Sequence, residues 1–359
     1  MTALAQGNIS WPPLEAMNSI AAEVAVTLTV IATLLYAFVT SRPSKTVSGG
    51  IAVGGLLVAF LLTIFLKVPA GTYFGGHIIV DPAALFWKQI LLLFTAGVIL
   101  IWFATTRHAQ PASDTPEFFT LLLSATVGMM LMGSTTHLLL LLLAMEIASM
   151  PSYVLAGFRK NRRPSAEASL KFALFGAVCT ATMIYGMSFL YGTHGSLKLE
   201  VIVESLRTAP SLPATTVIGL TGIAVGLFFK LAAVPVHFWC PDAFEGAHTD
   251  ITAFLSAASK GAGIVVLARW APMLAEASPA LSQGMAIALA AAAAATMTFG
   301  NLGALRQQSV KRLLAYSSIS HAGYILCALA LVMPQFSDGA ITAVAVYLAV
   351  YFVLNLGAF

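Results

Sequence analysis

Charged side chains are scarce in this sequence. Of its 359 residues only 9% are Asp, Glu, Lys or Arg, whereas 59% are hydrophobic, and the mean hydropathy is +0.90. A soluble globular protein carries roughly 25% charged residues, so 18 basic and 14 acidic side chains cannot supply a water-facing surface for a chain of this length. The scarcity of charge excludes a soluble enzyme, a nucleic-acid-binding protein and a disordered protein.

Cysteine is also scarce, and the motifs of several kinds of site are missing. Cys179, Cys240 and Cys327 lie far apart, with no CxxC pair and no Cys/His cluster, so the sequence indicates neither a disulfide scaffold nor a metal site. It contains no GxSxG, HExxH, GxxxxGK[ST] or CxxCH motif. Nothing therefore points to nucleophilic catalysis, a zinc protease, a nucleotide phosphate site or attached haem.

Long apolar runs make up most of the chain. An apolar helix of about 20 residues spans the hydrocarbon layer of a membrane, and the runs bounded by Pro, Gly or charge predict eleven such helices. We therefore predict an all-α fold, a polytopic bundle of transmembrane helices. The predicted spans are 20–40, 49–66, 82–105, 117–135, 137–158, 167–192, 214–240, 249–270, 280–300, 310–333 and 339–359.

The basic residues between the spans are distributed unevenly. Loops after odd-numbered spans carry ten Lys and Arg residues, and the other side carries four. Because cytoplasmic loops are enriched in Lys and Arg, we predict a periplasmic amino terminus in the inner (cytoplasmic) membrane of a bacterium. The ten are Arg42, Lys45, Arg107, Arg159, Lys160, Arg162, Arg163, Arg306, Lys311 and Arg312; the four are Lys67, Lys198, Arg207 and Arg269.

Five titratable residues lie inside predicted spans. Glu146, Lys230 and Lys260 are central, Lys171 lies nearer the cytoplasmic edge, and His321 lies near the middle of its span. A charge at the bilayer centre costs about 2.5–3.5 kcal/mol on insertion scales. A desolvated lysine can give up its proton, and a nearby carboxylate favours the charged form. We predict that these side chains form a proton relay whose members titrate as a coupled set.

Structural interpretations stay open for some of these residues and their neighbours. Lys171 can equally extend to the lipid headgroups, and His321 can equally be a neutral, packed histidine. Lys88 lies near the outer edge of its span and is expected to extend to the headgroups. His237 and His248 flank a loop and are expected to be solvated.

Two of the central charges share a spacing with proline. Pro151 follows Glu146 by five residues, and Pro235 follows Lys230 by five. Proline lacks the N–H group that would bond the carbonyl four residues back, so each freed carbonyl belongs to the residue next to the charge. We predict a helix break at both prolines, because broken helices beside a titratable group are typical of transporter ion sites.

Four segments resemble one membrane family. Residues 230–260, KLAAVPVHFWCPDAFEGAHTDITAFLSAASK, are similar to the signature of the antiporter-like membrane subunits of respiratory complex I (NADH–quinone oxidoreductase) and their relatives. RRPSAEASLKFALFGA, NLGALRQQSVKRLLAYSSISHAGY and the final YFVLNLGAF fit the same family in the same order. HFWCPDAFEGA and FLSAASKGAG are most similar to the N subunits. The resemblance covers roughly residues 117–359.

The resemblance implies a fold of about fourteen helices with two inverted five-helix repeats. Residues 1–116 would form the first three helices, 117–270 the first repeat, and 271–359 part of the second. The family continues with a further broken helix that carries another lysine. We therefore expect this chain to be truncated at the carboxyl end, with an incomplete second repeat.

The resemblance also assigns a role to each central charge. Glu146 matches the fifth-helix acid that contacts a neighbouring subunit's channel, and Lys230 matches the switch lysine of the broken seventh helix. Lys260 matches the eighth-helix lysine that leads toward the second half-channel. Lys171 matches a lysine of the inner polar route, and His321 matches a polar position of the tenth helix.

The function implied is a proton-translocating subunit of NADH–quinone oxidoreductase that couples quinone reduction to proton pumping and holds no redox centre. No cofactor is expected in this chain; NADH, FMN, iron–sulfur clusters and quinone would be bound by partner subunits. The expected partners are a neighbouring antiporter-like subunit, small channel subunits and the lipid bilayer, with no nucleic acid. A subunit of a multi-subunit sodium/proton antiporter is the alternative, and a membrane scaffold is a third hypothesis.

Overall fold

The helices follow the apolar runs of the sequence. The computed structural model describes residues 13–105, 111, 114–159, 161–332 and 337–359. Within these ranges eleven helices are long and apolar enough to cross a membrane, which confirms the prediction of a polytopic helical bundle. Arg107 and Lys160, both counted in the charge distribution, lie outside the described residues.

The bundle contains fifteen α-helical segments in the described residues. They are α1 (Leu14–Ser19), α2 (Ala21–Val39), α3 (Lys45–Phe65), α4 (Pro82–Thr105), α5 (Thr115–Met132), α6 (Leu138–Ala156), α7 (Arg163–His194), α8 (Leu199–Thr208), α9 (Ala214–Leu231), α10 (Trp239–Gly246), α11 (Thr249–Phe254), α12 (Lys260–Ala275), α13 (Pro279–Leu305), α14 (Val310–Ala330) and α15 (Ser337–Ala358). A π-helical segment, Leu255–Ser259, joins α11 to α12 without interruption, so the three together form one span.

Most predicted ends agree with the structure to within a few residues, but the seventh span differs. The sequence predicts one span over 214–240 with a break at Pro235, whereas α9 already ends at Leu231. Ala232 adopts a left-handed backbone with φ of 54°, and the helix cannot continue through it. The chain then turns before the short helix α10 begins at Trp239.

Short elements that hydropathy does not reveal cap one end of the bundle. Strand β1 (Gly71–Tyr73) pairs antiparallel with β2 (Ile78–Val80) between α3 and α4. The N–H of Ile79 donates to the carbonyl of Ser134 at 2.8 Å. Helix α8 is amphipathic and buries its apolar face, and Leu138 N–H bonds Leu197 O at 2.9 Å nearby.

Helices α7 and α9, which carry Lys171 and Lys230, pack closely side by side. The helices cross at Gly186 and Gly222. A Cβ atom on Gly222 would lie 2.9 Å from the Cα atom of Gly186 and 2.9 Å from the carbonyl oxygen of Thr182. Small residues at such a crossing let membrane helices pack backbone to backbone, and this packing fixes α9 relative to the bundle.

An ion pair joins α12 to the residue that precedes α4. Arg269 donates to both carboxylate oxygens of Asp81, at 2.6 and 3.0 Å, and to the carbonyl of Gly133 at 3.0 Å. Partial burial acts to raise the pKa of Asp81, but the hydrogen bonds and charge of Arg269 outweigh it and hold that pKa below its ordinary value. The pair therefore stabilises the fold most where Asp81 is ionised.

An Asp81→Asn substitution tests this contribution. Because the folded-state pKa is depressed, the stabilisation is fully present above the ordinary aspartate pKa of about 4 and is lost as the pH falls through the folded-state value. We expect the variant to lose about 1–3 kcal/mol at pH 7, and the difference from the unsubstituted protein to shrink in acid. Thermal unfolding in detergent across this pH range measures both. Glu276→Gln, in the exposed pair with Arg207, is the control and should change little.

Candidate intramembrane relay site

Lys230 lies in the last turn of α9, where that helix is broken. Its side chain is buried, with 2% of the residue exposed. The carbonyl end of a helix carries partial negative charge, which favours a cation in its last turn. The position of the break thus supplies part of the electrostatic environment of the ammonium group.

The backbone groups at this break have partners. The carbonyl of Phe228 accepts from Ala233 N–H at 2.9 Å, and the carbonyl of Phe229 accepts from the Trp239 indole at 3.0 Å. The N–H of Val234 donates to the Thr296 hydroxyl of α13 at 3.0 Å. The helix is therefore broken beside Lys230, as the sequence predicts, but the break begins at Ala232, and Pro235 lies within the connecting segment.

Pro151 is accommodated inside α6, which runs unbroken from Leu138 to Ala156. The break predicted there does not occur. Serine hydroxyls on both sides of the proline bond back into the same helix: Ser149 Oγ donates to Met145 O at 2.5 Å, and Ser152 Oγ donates to Ala148 O at 2.6 Å. Such hydroxyls are among the groups that let a membrane helix tolerate proline.

Glu146 is half-buried on α6 and is coupled to both neighbouring helices. One of its carboxylate oxygens accepts a hydrogen bond from Thr180 Oγ1 of α7 at 2.8 Å. It is also the acidic residue whose charge acts on Lys230 of α9. Among the described residues no direct ion pair joins Glu146 to Lys230, so the two interact through space.

Lys260 is the first residue of α12, directly after the π-helical turn. The residue is 1% exposed, and its ammonium group donates to the Ser318 hydroxyl of α14. Ser318 Oγ lies 2.7 Å from the hydroxyl of Tyr351, which comes from α15. The Ser256 carbonyl, within the π-helical turn, accepts from Ser318 at 3.3 Å and from Tyr351 at 3.1 Å.

His321 extends this group of polar side chains. Its Nδ1 atom lies 2.5 Å from the Tyr347 hydroxyl, and its ring centroid lies 5.2 Å from that of Tyr351. The charge of Lys260 acts on His321. We call Lys260, Ser318, Tyr351, His321 and Tyr347 the Lys260 cluster; it connects α12, α14 and α15.

The two lysines are neighbours through the packing of α9 against α12. A Cβ atom on Gly263, three residues after Lys260, would lie 3.3 Å from the Cβ atom of Lys230. The structure thus brings Glu146, Lys230, Lys260 and His321 into one region of the bundle. Among the residues that the structure describes, no hydrogen bond joins Lys230 to the Lys260 cluster, so proton transfer between them needs water or motion.

Lys171 lies apart from that region. Its side chain is 40% exposed and forms ion pairs with Glu167 at 2.7 Å and Asp242 at 2.8 Å. Asp242 is also bound by Arg312 at 2.9 Å. The partial burial of Asp242 acts to raise its pKa, but Lys171 and Arg312 outweigh this and lower it. Lys171 therefore belongs to a charged network at the end of α7.

Three other sequence expectations were wrong. Lys88 is buried and pairs with Glu23 of α2 at 2.7 Å, their side chains being 4% and 5% exposed, so it does not extend to the headgroups. His237 is buried, and His248 Nδ1 lies 2.5 Å from a carboxylate oxygen of the fully buried Asp250. The two histidines are not solvated because the segment after α9 folds back into the bundle.

In the described part of the chain, no three or more His, Cys, Asp or Glu form a group that could hold a metal ion.

Sequence reasoning missed several partners of the relay residues. Ser318 precedes His321 by three positions, and Tyr347 and Tyr351 are four apart, so helical spacing could have placed each pair on one face. The Glu23–Lys88 pair carries no such local signal, because its members come from different helices.

Comparisons with known proteins agree with this architecture. The family described as NADH:quinone oxidoreductase/Mrp antiporter, TM, matches residues 135–359. NADH-quinone oxidoreductase subunit N of Rubrobacter xylanophilus is 37% identical over 347 residues, covering 96% of this chain and 71% of that protein. A chain of respiratory complex I from Thermus thermophilus is 31% identical with a TM-score of 0.76, covering 93% of this chain and 68% of that one.

A more distant structure shares the fold. A chain of the Mrp complex from a Dietzia species is 20% identical with a TM-score of 0.75, and the match covers 94% of this chain and 36% of that one. Among the curated relatives compared, the chain spans between 58% and 73% of their length.

Proposed function

Because this chain belongs to the NADH:quinone oxidoreductase/Mrp antiporter family of transmembrane subunits, we propose that it is the proton-translocating part of an N-type subunit of NADH–quinone oxidoreductase. The observation that carries the proposal is the arrangement of two fully buried lysines, Lys230 at the end of a broken helix beside Glu146, and Lys260 in a chain of hydroxyl groups. Burying an ammonium group within a membrane costs free energy, so a buried intramembrane lysine is by default a candidate functional residue.

Glu146 and Lys230 act as the switch in this proposal. An ionised carboxylate nearby favours the protonated lysine, whereas burial favours the neutral lysine. Movement of Glu146, or its protonation, therefore releases a proton from Lys230. By linkage, a proton bound or lost at Lys230 changes the proton affinity of Glu146 reciprocally.

The Lys260 cluster acts as the conducting segment. Serine and tyrosine hydroxyls both donate and accept hydrogen bonds, so Ser318 and Tyr351 can accept a proton on one side while giving one up on the other. The imidazole of His321 can bind or release a proton near neutral pH. The chain from Lys260 toward His321 thus provides groups that a proton can occupy in turn.

Lys171 places a positive charge near the start of α7, on the proposed route toward the relay.

The redox chemistry belongs to partners in this proposal. NADH, FMN, iron–sulfur clusters and quinone are bound by other subunits, and their turnover shifts the Glu146–Lys230 equilibrium through contacts between membrane subunits. The excess of Lys and Arg in one set of loops supports a periplasmic amino terminus. The inverted repeats proposed for residues 117–270 and 271–359 would place Lys230 and Lys260 in the first repeat.

Lys230→Ala and Glu146→Ala in the full-length protein, assembled in its complex, test the proposal. Because a positioned acid–base group typically contributes about 10²–10⁴-fold, we expect each variant to lower the rate of acidification of membrane vesicles on the order of a hundredfold or more. Quinone reductase activity should fall alongside it. Lys198→Ala, which removes a lysine hydrogen-bonded to Gly75 O in a surface loop, is the matched control and should leave both rates unchanged. Wild-type acidification in both site variants would exclude the assignment.

A sodium/proton antiporter subunit is the second candidate, because the matching family includes Mrp antiporters. It uses the same broken-helix chemistry without a redox partner. Co-purification of the chain with NADH- and quinone-binding subunits supports the redox-driven pump. Sodium-dependent proton exchange without them supports the antiporter. Unimpaired transport after Glu146, Lys230 and Lys260 are neutralised together would favour a scaffold instead.

A further inference from the structure

A charged cavity lies where α6 ends, α7 and α14 begin, and α10 runs between them. It has a volume of about 510 Å³ and lies at the end of the bundle that is rich in Lys and Arg. Arg159, Arg162 and Lys311 line it together with the network around Lys171. The first turn of the 32-residue helix α7 also borders it, at Pro164.

The acidic residues of this cavity already have cationic partners. Glu167 and Asp242 pair with Lys171, and Glu245 pairs with Arg312 at 2.8 Å. In the described part of the chain, Arg159, Arg162 and Lys311 have no ion pair with a carboxylate. The ammonium group of Lys311 donates to a backbone carbonyl, Ala247 O, at 2.6 Å.

These three cations stand close enough to repel one another. The charges of Arg159 and Arg162 both act on Lys311. Burial and the Arg162 charge lower the pKa of Arg159 below its ordinary value. Two acids lie nearby. The charge of Asp250 acts on Arg159 and Lys311, and that of Glu245 acts on Lys311, but Asp250 is engaged with His248 and Glu245 with Arg312. Because both carboxylates have other partners, the three cations leave an excess of positive charge that an anion would neutralise.

The surface next to the cavity suits a lipid. On α7, Leu170 and Leu174 expose about 60% of their surface, and on α14 Val310 exposes 71%. Apolar side chains of membrane helices beside a basic cavity offer an acyl chain a place to pack while the headgroup meets the cations. The amino-terminal end of α7 adds a favourable dipole for a phosphate.

We propose that this cavity binds the phosphate of an anionic phospholipid, held by Arg159, Arg162 and Lys311, with the acyl chains along α7 and α14. Free inorganic phosphate offers the same chemistry without the acyl chains. The proposal concerns binding and does not depend on the assignment of the proton relay.

Photo-crosslinking of the full-length protein in its complex tests the site. The probe is phosphatidylglycerol carrying a photoreactive group in its headgroup region, and mass spectrometry locates the labelled peptides. We expect labelling of the segments around Arg159 and Lys311 that excess phosphatidylglycerol suppresses and phosphatidylcholine does not. Suppression by millimolar inorganic phosphate to the same extent as by phosphatidylglycerol, or labelling that phosphatidylcholine suppresses equally, would overturn the lipid assignment.

An Arg159→Gln/Lys311→Gln double variant should reduce this labelling at least fivefold. Arg42→Gln/Arg306→Gln removes two cations on the same side of the bundle, neither of which lines the cavity, and should leave labelling unchanged. The exposed Arg162 offers a milder variant, Arg162→Gln, if the double variant fails to assemble; we expect it to reduce labelling about threefold. Unchanged labelling in an assembled cavity variant would exclude the site, whatever proton transport does.

Discussion

A Lys260→Met substitution in the full-length protein is expected to lower proton translocation on the order of a hundredfold or more, since a positioned acid–base group typically contributes about 10²–10⁴-fold. Methionine keeps the length and apolar stem of lysine but has no proton to exchange. It also removes the donor that meets Ser318 and leaves the hydroxyl chain to Tyr351 without its cation. Acidification of vesicles driven by NADH measures the loss.

Two further variants separate proton exchange from a structural charge at this position. Lys260→Arg keeps a positive charge that is never released at physiological pH, so we expect it to be nearly as inactive as Lys260→Met. Tyr351→Phe retains the ring and removes only the hydroxyl, so its loss should be smaller. If Lys260→Arg pumps at the wild-type rate, Lys260 serves as a fixed charge and the relay assignment fails.

A Lys88→Met substitution is expected to lower the free energy of unfolding by about 3–5 kcal/mol. Its partner, Glu23, is as deeply buried as Lys88 itself, and the pair joins α2 to α4. Removing the lysine leaves a carboxylate in an apolar setting with no cation, which costs far more than the pair contributes when intact. Thermal unfolding in detergent reports the change.

The double variant Glu23→Leu/Lys88→Met tests whether the loss comes from the unpaired carboxylate. Replacing both members of a buried ion pair with apolar residues is often neutral or stabilising, so we expect it to recover most of the lost stability. Glu276→Gln/Arg207→Gln, which removes an exposed pair, should change the unfolding temperature little. A Lys88→Met protein as stable as the unsubstituted one would show that Glu23 carries no charge in the fold.

The spans were predictable because hydrophobic run length reports directly on membrane crossing. Hydropathy failed at the seventh span for a definite reason. Residues after Leu231 stay apolar, but the left-handed backbone at Ala232 turns the chain, and a hydropathy average does not detect a single residue's conformation. Pro151 shows the opposite error, since a proline that resembles a helix break in the sequence is absorbed within α6.

The candidate site was predictable to the extent that charge is costly in a membrane. That cost identified Glu146, Lys230 and Lys260 without any knowledge of their neighbours. Their partners depend on which helices meet, and local spacing does not encode this. The position of Lys88 near the edge of its span predicts a side chain that extends to the headgroups, whereas its actual partner, Glu23, lies in another helix. The roles of all five relay residues remain predictions that the substitutions above test.

Tyr351 contacts the carbonyl of Ser256 across 95 residues of sequence, and this separation bears on how the protein is made. Helices enter the bilayer in the order of synthesis, so α12 arrives with its lysine well before α15 emerges from the ribosome. Before α15 docks, Ser318 is the one hydroxyl of the Lys260 cluster that can contact Lys260, because Tyr347 and Tyr351 both belong to α15. The Lys260 cluster is therefore complete only after α15 has docked, and a nascent chain halted before that helix would hold a lysine that still lacks Tyr347 and Tyr351 as neighbours.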